Sequence, residues 1–394
     1  MARGAAVFAG NGANVMRKTS IIIISYNTLS YTRLCIESIR EYTPPNSYEI
    51  IVVDNASVDG SSEWLRQQKD VKLLENKANV GFPAGCNQGM LAAEAGNDLL
   101  LLNSDTIVTP RWLENLQKAL HSDEIVGAVS CVTNSCSNQQ AIEVSYRTIE
   151  EMLTFAAGYN QSEPNKWYTW STLVGFCFLL KWEVYEKIGG LDELFSPGNY
   201  EDDDYSFAIR QAGYRLLLCA DTFIHHFGGV SFKQGNVPEM AGAMQEHYAE
   251  ILQINREKFL QKWQVSPDYK VFYRLVQNLQ PEDDGHRVLL IDCGVGQGLC
   301  SLHRRYPRLR LSGLVFTEAD YRLAVKDFPI RRVSCWGKVA AGIPDRQDVI
   351  MVLGNIQAVP DHQEVLAGLR QRLTLGGRLF YDDGQQVYCD KRNK

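Results

Sequence analysis

The first hundred residues alternate between wholly apolar runs and stretches with apolar positions at helical spacing. TSIIIISYN (19–27), EIIVVDNAS (49–57), VKLLEN (71–76) and DLLLLNSD (98–105) read as four buried strands. Between the first two, Tyr31, Leu34, Cys35, Ile39 and Tyr42 share one helical face, and Pro44-Pro45 ends the helix they predict. Thr109-Pro110 is expected to cap a further helix, with Pro at its first position. Strands without a polar face need cover on both sides, so the pattern predicts an α/β fold with a mostly parallel sheet. Residues 130–170 are less regular and are expected as loops and short elements over the sheet edge. LVGFCFLL (173–180) reads as another buried strand, and a helical pattern runs over 236–263.

The polar stretch QPEDDGH (280–286) interrupts this series, and a new strand–helix alternation opens at RVLLIDCGVGQG. The expected organisation is an N-terminal extension (1–18), a first domain (19–264), a linker (265–285) and a second domain (286–394). The small-residue stretch at the N-terminus lacks the sustained apolar core of a signal peptide, and Met16 is a candidate natural start with an upstream extension before it. A chain of 394 residues has room for two such domains.

Composition narrows the function classes. Net charge is −6 with both signs mixed along the chain, which argues against a nucleic-acid-binding face. Ten cysteines form no C-x-x-C pair, and several sit in apolar runs, so free thiols in a reducing compartment are expected. No apolar run approaches a membrane span. The expected location is cytoplasmic, with peripheral docking at the inner membrane face left open.

Polar clusters close the predicted strands: SYN (25–27), DNAS (54–57), NVGFPAGCNQG (79–89) and NSD (103–105), and Gly81, Gly85 and Gly89 are expected to let backbone approach a ligand closely. Open α/β sheets bind ligands at such strand ends. Taken singly, each cluster is equally well a turn. YEDDDY (200–205) adds four consecutive carboxylates before a helical pattern at Tyr205, Ala208, Ile209 and Ala212. Acids suit a helix N-terminus. Successive residues rotate by about 100°, so at most two of the four can face one cleft.

The order of these stretches resembles the family-2 inverting glycosyltransferases of GT-A fold. The resemblance rests on SIIIISYN, EIIVVDNASVDGS, NVGFPAGCNQG, LLLLNSDTIVTPRWL, VGFCFLLKWEVYEKIGGLDELF, GNYEDDDYSFAIRQAGYRL and IHHFGGVSF, and covers roughly 19–263. It implies a Rossmann-like GT-A catalytic domain that binds a nucleoside-diphosphate sugar, UDP-linked donors among them. Ser25, Asn27, Asp54 and Asn55 are then expected to line the nucleotide pocket, with Asp54 on the base. Asn79, Gly81 and Asn87 are expected near the ribose and diphosphate. NSD occupies the family's D-x-D site, with Asn103 at the first acid and Asp105 as the single carboxylate. Asp105 and His226 are the implied ligands of a manganese or magnesium ion, while His225 is assigned to packing. The family pattern Glu-Asp-x-Asp falls on Glu201, Asp202 and Asp204. Asp202 is the expected base, Glu201 its support, and Asp204 a partner of Arg210 or a helix cap. Asp203 is expected to be solvated.

RVLLIDCGVGQGL (287–299), LRLSGLVFT (309–317) and 348–383 together resemble a class I S-adenosylmethionine-dependent methyltransferase. The match departs at Leu290, Asp292 and Val315, and no strand is expected after GGRLF. A second Rossmann-like domain with lost or weakened cofactor binding is expected, acting to dock an acceptor, stabilise the first domain or mediate assembly. A bifunctional glycosyl- and methyltransferase and a non-catalytic scaffold are the alternatives. A nucleotidyltransferase is disfavoured because SYNTLSYT carries no glycine after the first strand. The expected activity is inverting hexosyl or N-acetylhexosaminyl transfer to a hydroxyl on a cell-surface glycan, lipid-linked glycan or protein.

Overall fold

A computed structural model of the chain describes residues 17–228, 241–265, 273–382 and 386–392. The first sheet is built from β1 (Thr19–Ser25), β2 (Tyr48–Asp54), β3 (Val71–Glu75) and β4 (Asp98–Asn103), all parallel. Helices α1 (Leu29–Tyr42), α2 (Ser61–Leu65) and α3 (Phe82–Ala92) connect them. The next elements are a two-residue strand β5 (Thr106–Ile107), α4 (Trp112–Leu120), β6 (Val126–Val132), α5 (Ile149–Tyr159) and β7 (Trp167–Thr169). They are followed by β8 (Cys177–Leu180), α6 (Trp182–Ile188), α7 (Glu201–Gln211), β9 (Arg215–Phe223), β10 (His225–His226) and the long helix α8 (Ala241–Trp263).

The strand order is β3-β2-β1-β4-β8-β6-β9-β7, with β8 antiparallel to both neighbours and β7 antiparallel at the edge. This is an α/β, GT-A-like fold with a mixed, mostly parallel sheet. The apolar strands are covered on both faces: one layer packs Ile21, Ile23, Val52 and Leu100 against α1 and α4, the other packs Ile22, Ile51, Leu99 and Leu101 against α3. Register then aligns the strand ends. Ser25 lies opposite Asp54, and Ile24 opposite Asn103.

Two local expectations change. The helix after Thr109-Pro110 begins at Trp112, because Arg111 precedes it with a left-handed φ of 64°. The Thr109 hydroxyl is instead used by the Phe223 carbonyl and Asn160. Gly85 and Gly89, expected to let backbone approach a ligand, face β1: a Cβ on Gly89 would lie 2.3 Å from Ile22 Cγ2.

A second sheet follows the order β13-β12-β11-β14-β15-β16. Its strands are β11 (Arg287–Ile291), β12 (Arg310–Val315), β13 (Ile330–Arg332), β14 (Gln347–Val352), β15 (Leu373–Asp382) and β16 (Val387–Lys391). The first five are parallel and β16 is antiparallel to β15, so a strand does follow GGRLF, contrary to expectation. Within the stretch expected as a linker, Leu275, Val276 and Leu279 are buried in the core of this second sheet. All ten cysteines are free thiols, with Cys335 and Cys389 exposed. Among the described residues, no helix is long and apolar enough to cross a membrane. Residues 1–16, which carry most of the expected N-terminal extension, and GVSF of HHFGGVSF lie outside the described residues.

The contact of α3 with β1 predicts that Gly89→Ala forces the helix off the sheet. Such overpacking costs about 1–3 kcal/mol, and thermal unfolding should register it as a melting temperature lower by several degrees.

Candidate active site

Asp54 ends β2 with its carboxylate buried. The Ser57 amide and Ser62 hydroxyl donate to its Oδ2 at 3.0 and 2.7 Å. Its Oδ1 is buried and accepts no hydrogen bond among the described residues. A buried carboxylate oxygen without a donor is costly, which suits an acceptor kept for a ligand N–H or O–H. Asn27, held at a φ of 52°, accepts from Val58 N and donates its own amide to Ser57 Oγ, so SYN and DNAS form one tied rim. Ser25 is buried beside Thr32 at 3.3 Å.

The remaining predicted donor-site residues separate into rim and scaffold positions. Asn55 donates to the Gly81 carbonyl at 3.2 Å and accepts from Asn76 at 2.8 Å. Asn79 Oδ1 accepts from the Gly81 amide, and Gly81, with φ 86°, lies against Pro197. Asn87 is turned to the 190–193 loop: it donates to the Leu191 carbonyl and Glu193, and accepts from the Leu191 amide at 2.8 Å.

Asp105 and His226 are brought together by pairing of β5 with β10, in which His226 faces Thr106. His226 Nε2 is 3.2 Å from Asp105 Oδ1 and 3.5 Å from Asn103 Nδ2. Its Nδ1 donates to the Ser135 carbonyl at 2.7 Å, and its ring stacks on Phe176 with centroids 5.3 Å apart. A carbonyl can only accept, so Nδ1 carries a proton. In the neutral ring, Nε2 then presents a lone pair toward a carboxylate, an arrangement that a shared proton or a cation relieves. This donor set fits a hard divalent ion with further oxygens from a ligand, and the Ser135 carbonyl is the outer partner that orients a ligating histidine. Among the described residues, no group of three or more His, Cys, Asp or Glu side chains gathers as a metal cage. His225 turns away, half-buried against Tyr146, and burial lowers it to about 4.

The four acids all fall in the first turn of α7, after Tyr200 at a left-handed φ of 73°. Asp202 Oδ2 accepts from the Gly175 amide at 3.0 Å, and Oδ1 from the Asp203 amide at 2.9 Å. Glu201 is buried with Oε2 unpartnered among the described residues. Burial, and then the Asp202 carboxylate, hold it well above the usual carboxylate range.

Two predicted roles in this turn are corrected. Asp203 is 6% exposed, so it is buried rather than solvated. Asp204 pairs with Lys262 Nζ at 2.6 Å and Trp263 Nε1 at 2.7 Å, not with Arg210. Six residues apart, Asp204 and Arg210 lie on different helix faces. Burial still raises the Asp204 carboxyl, with Lys262 opposing it.

Sequence reasoning missed Gly175, Ser135, Phe176 and the Lys262-Trp263 pair. Only the last left a signal, a cation and an aromatic residue closing the pattern NREKFLQKW. The segment Gly175-Phe176 links the two halves of the site, since its amide holds Asp202 and its next ring carries His226.

A GT-A-like α/β domain with a polar rim at its strand ends and an acidic helix start is the class these elements define. Residues 20–189 match the family model described as Glycosyl transferase family 2. Protein y4gI of Sinorhizobium fredii is 25% identical over 237 residues, covering 56% of this chain and 25% of that protein. The O-antigen biosynthesis protein RfbC of Myxococcus xanthus is likewise 25% identical, over 56% of this chain and 18% of its own length. The chain thus spans a quarter or less of these two relatives. A mannosyltransferase from Pyrobaculum calidifontis, solved with GDP-Man and Mn2+, is 22% identical with a TM-score of 0.41, over 61% of this chain and 70% of that one.

The burial of Glu201 sets a pH dependence. Its folded carboxyl keeps its proton above the unfolded value of 4.5, so stability falls as pH rises past that value. Glu201→Gln should flatten this loss, and melting curves across the range from mildly acidic to mildly alkaline pH will show whether the decline persists.

Proposed function

We propose that the chain is a metal-dependent inverting glycosyltransferase that moves a hexosyl or N-acetylhexosaminyl group from a nucleoside-diphosphate donor to a hydroxyl acceptor. The observation that carries this reading is the Gly175-Phe176 bridge, which puts a candidate base and a candidate cation pair on adjoining residues.

Asp202 takes the proton of the acceptor hydroxyl while its oxygen bonds to the anomeric carbon. The bond from that carbon to the diphosphate oxygen breaks in the same displacement, and the nucleoside diphosphate leaves. The Gly175 and Asp203 amides orient Asp202. Glu201, kept protonated by burial, adds no second negative charge beside the base. Asp54 Oδ1 receives a donor group of the nucleotide, and Ser25, Asn27 and Asn55 shape that pocket. Asn79, Gly81 and Asn87 border the diphosphate side, Asn87 by holding the 190–193 loop. Asp105 and His226 are the residues that would hold a manganese or magnesium ion, with Asn103 beside them. When bound, the ion offsets the charge that develops on the leaving diphosphate.

The second sheet is read as a methyltransferase-like unit without a cofactor role. Its parallel order with one antiparallel strand supports the likeness. The residues do not fit the cofactor, since Val315 at the end of β12 is buried and apolar and offers no acceptor to a ribose. A glycan acceptor is supported by the relative named for O-antigen biosynthesis. Work on lipid-linked glycan would place the enzyme in the cytoplasm, at the inner face of the membrane.

Asp202→Asn should lower turnover by about 10²–10⁴-fold, read as nucleoside diphosphate released across a donor panel, while calorimetry shows donor binding near wild type. Undiminished turnover would remove Asp202 from the role of base. His226→Ala should raise the half-saturating manganese concentration by about tenfold or more, and an unchanged metal titration would exclude it as a ligand.

A further inference from the structure

One face of α7 is bonded along its length to a single extended segment. Asp202 Oδ2 accepts from the Gly175 amide at 3.0 Å, Ser206 Oγ accepts from the Leu173 amide at 3.0 Å, and Arg210 Nη1 donates to the Ser171 carbonyl at 3.2 Å. Residues 202, 206 and 210 are four apart and share a helix face, while 171, 173 and 175 alternate along an extended chain. The result is a three-rung ladder about 12 Å long, with the candidate base at one end and Arg210 at the other.

The second sheet unit holds the far end. Arg210 is 1% exposed, and its Nη2 donates to Asp327 Oδ2 at 2.8 Å, the Leu323 carbonyl at 2.9 Å and the Val295 carbonyl at 3.1 Å. Asp327 is its ion-pair partner and is itself buried. Val295 comes from the glycine-rich turn after β11, and Leu323 from the helix Glu318–Ala324. Both side chains pack into one apolar cluster with Phe207 of α7 and Phe259 of α8. Ser171 is bonded a second time, through its hydroxyl, to Gln297 of the same glycine-rich turn. A buried guanidinium without its carboxylate is strongly disfavoured, so α7 can keep this position only with the second unit in place.

We infer that Arg210 and Asp327 are positioning residues through which the second sheet unit sets the orientation of Asp202, so that this unit is an integral part of the catalytic apparatus. The inference rests on the reading of Asp202 as base. The glycine-rich turn, which the sequence pattern likens to a cofactor loop, serves here as the clamp on α7. A clamp at the ladder's end acts on the alignment of base and acceptor, not on the nucleotide rim formed by SYN and DNAS. Its loss therefore falls on kcat rather than on the donor KM.

The test uses the full chain with Arg210→Met and Asp327→Leu combined, which removes both charges and keeps the volume apolar. The double variant should unfold cooperatively, lose about 10- to 100-fold in kcat and keep the donor KM of wild type. Hydrogen exchange should quicken at the amides of 201–206 and stay unchanged at those of β4. Wild-type kcat, or unaltered exchange at 201–206, would overturn the inference. Should the double variant not fold, Asp327→Asn, which keeps the shape and removes the charge, is judged by the same two readouts. Should the wild-type chain release no nucleotide from any donor, the functional reading fails, and the exchange comparison alone decides the coupling.

Discussion

Glu201, Asp203 and Asp204 are buried and Asp202 lies half-buried among them, and this crowding of carboxylates constrains the surroundings of α7. Glu201 retains a proton because burial and its neighbour disfavour a second charge. Asp202 is met by two backbone amides. Asp204 is met by Lys262 and Trp263 at the end of α8. Gly175, Lys262 and Trp263 come from distant parts of the chain, so the helix start is stable only in the assembled fold. The helix N-terminus contributes as well, but its field falls off within one turn and cannot serve four acids.

The same long-range logic builds the other half of the site. β5 and β10 are two residues each, too short to be marked by any apolar pattern, yet their pairing carries His226 to Asp105. The histidine is then fixed from behind by the Ser135 carbonyl and from the side by Phe176. Because Phe176 follows Gly175, the ring support of the histidine and the amide support of Asp202 are mechanically one piece. The Glycosyl transferase family 2 match ends at residue 189, before α7 and β10, so Asp202 and His226 both stand outside the matched stretch.

Much of the sheet was legible in the sequence because burial on both faces leaves an unbroken apolar run. TSIIIIS, EIIVVD and DLLLLN are found as β1, β2 and β4, each within a few residues of its expected limits. The polar residues that close those runs lie together at the strand ends, as the register of Ser25 with Asp54 shows. Less legible were positions whose partner lies far along the chain. The pattern Glu-Asp-x-Asp leaves Asp203 as its variable, solvated position and offers Asp204 either Arg210 or a helix-capping role. In the fold, Asp204 reaches 58 residues on to Lys262, and Arg210 reaches across to Asp327. Gly85 and Gly89 were read as ligand-facing, whereas helix–strand closeness requires them.

The sequence alone therefore determined the strands, the order of the polar clusters and the helix that carries the acids, since these depend on periodicity and on residues near one another in the chain. Tertiary structure decided which acid stays protonated, which is held by amides and which forms an ion pair, because desolvation and pairing depend on what the fold brings alongside. It also decided that the glycine-rich turn of the second unit packs against α7, where Val295 and Leu323 supply the carbonyls and Asp327 the charge that Arg210 requires. No spacing in the chain encodes that contact; it exists only because two separately patterned sheets bury one guanidinium between them.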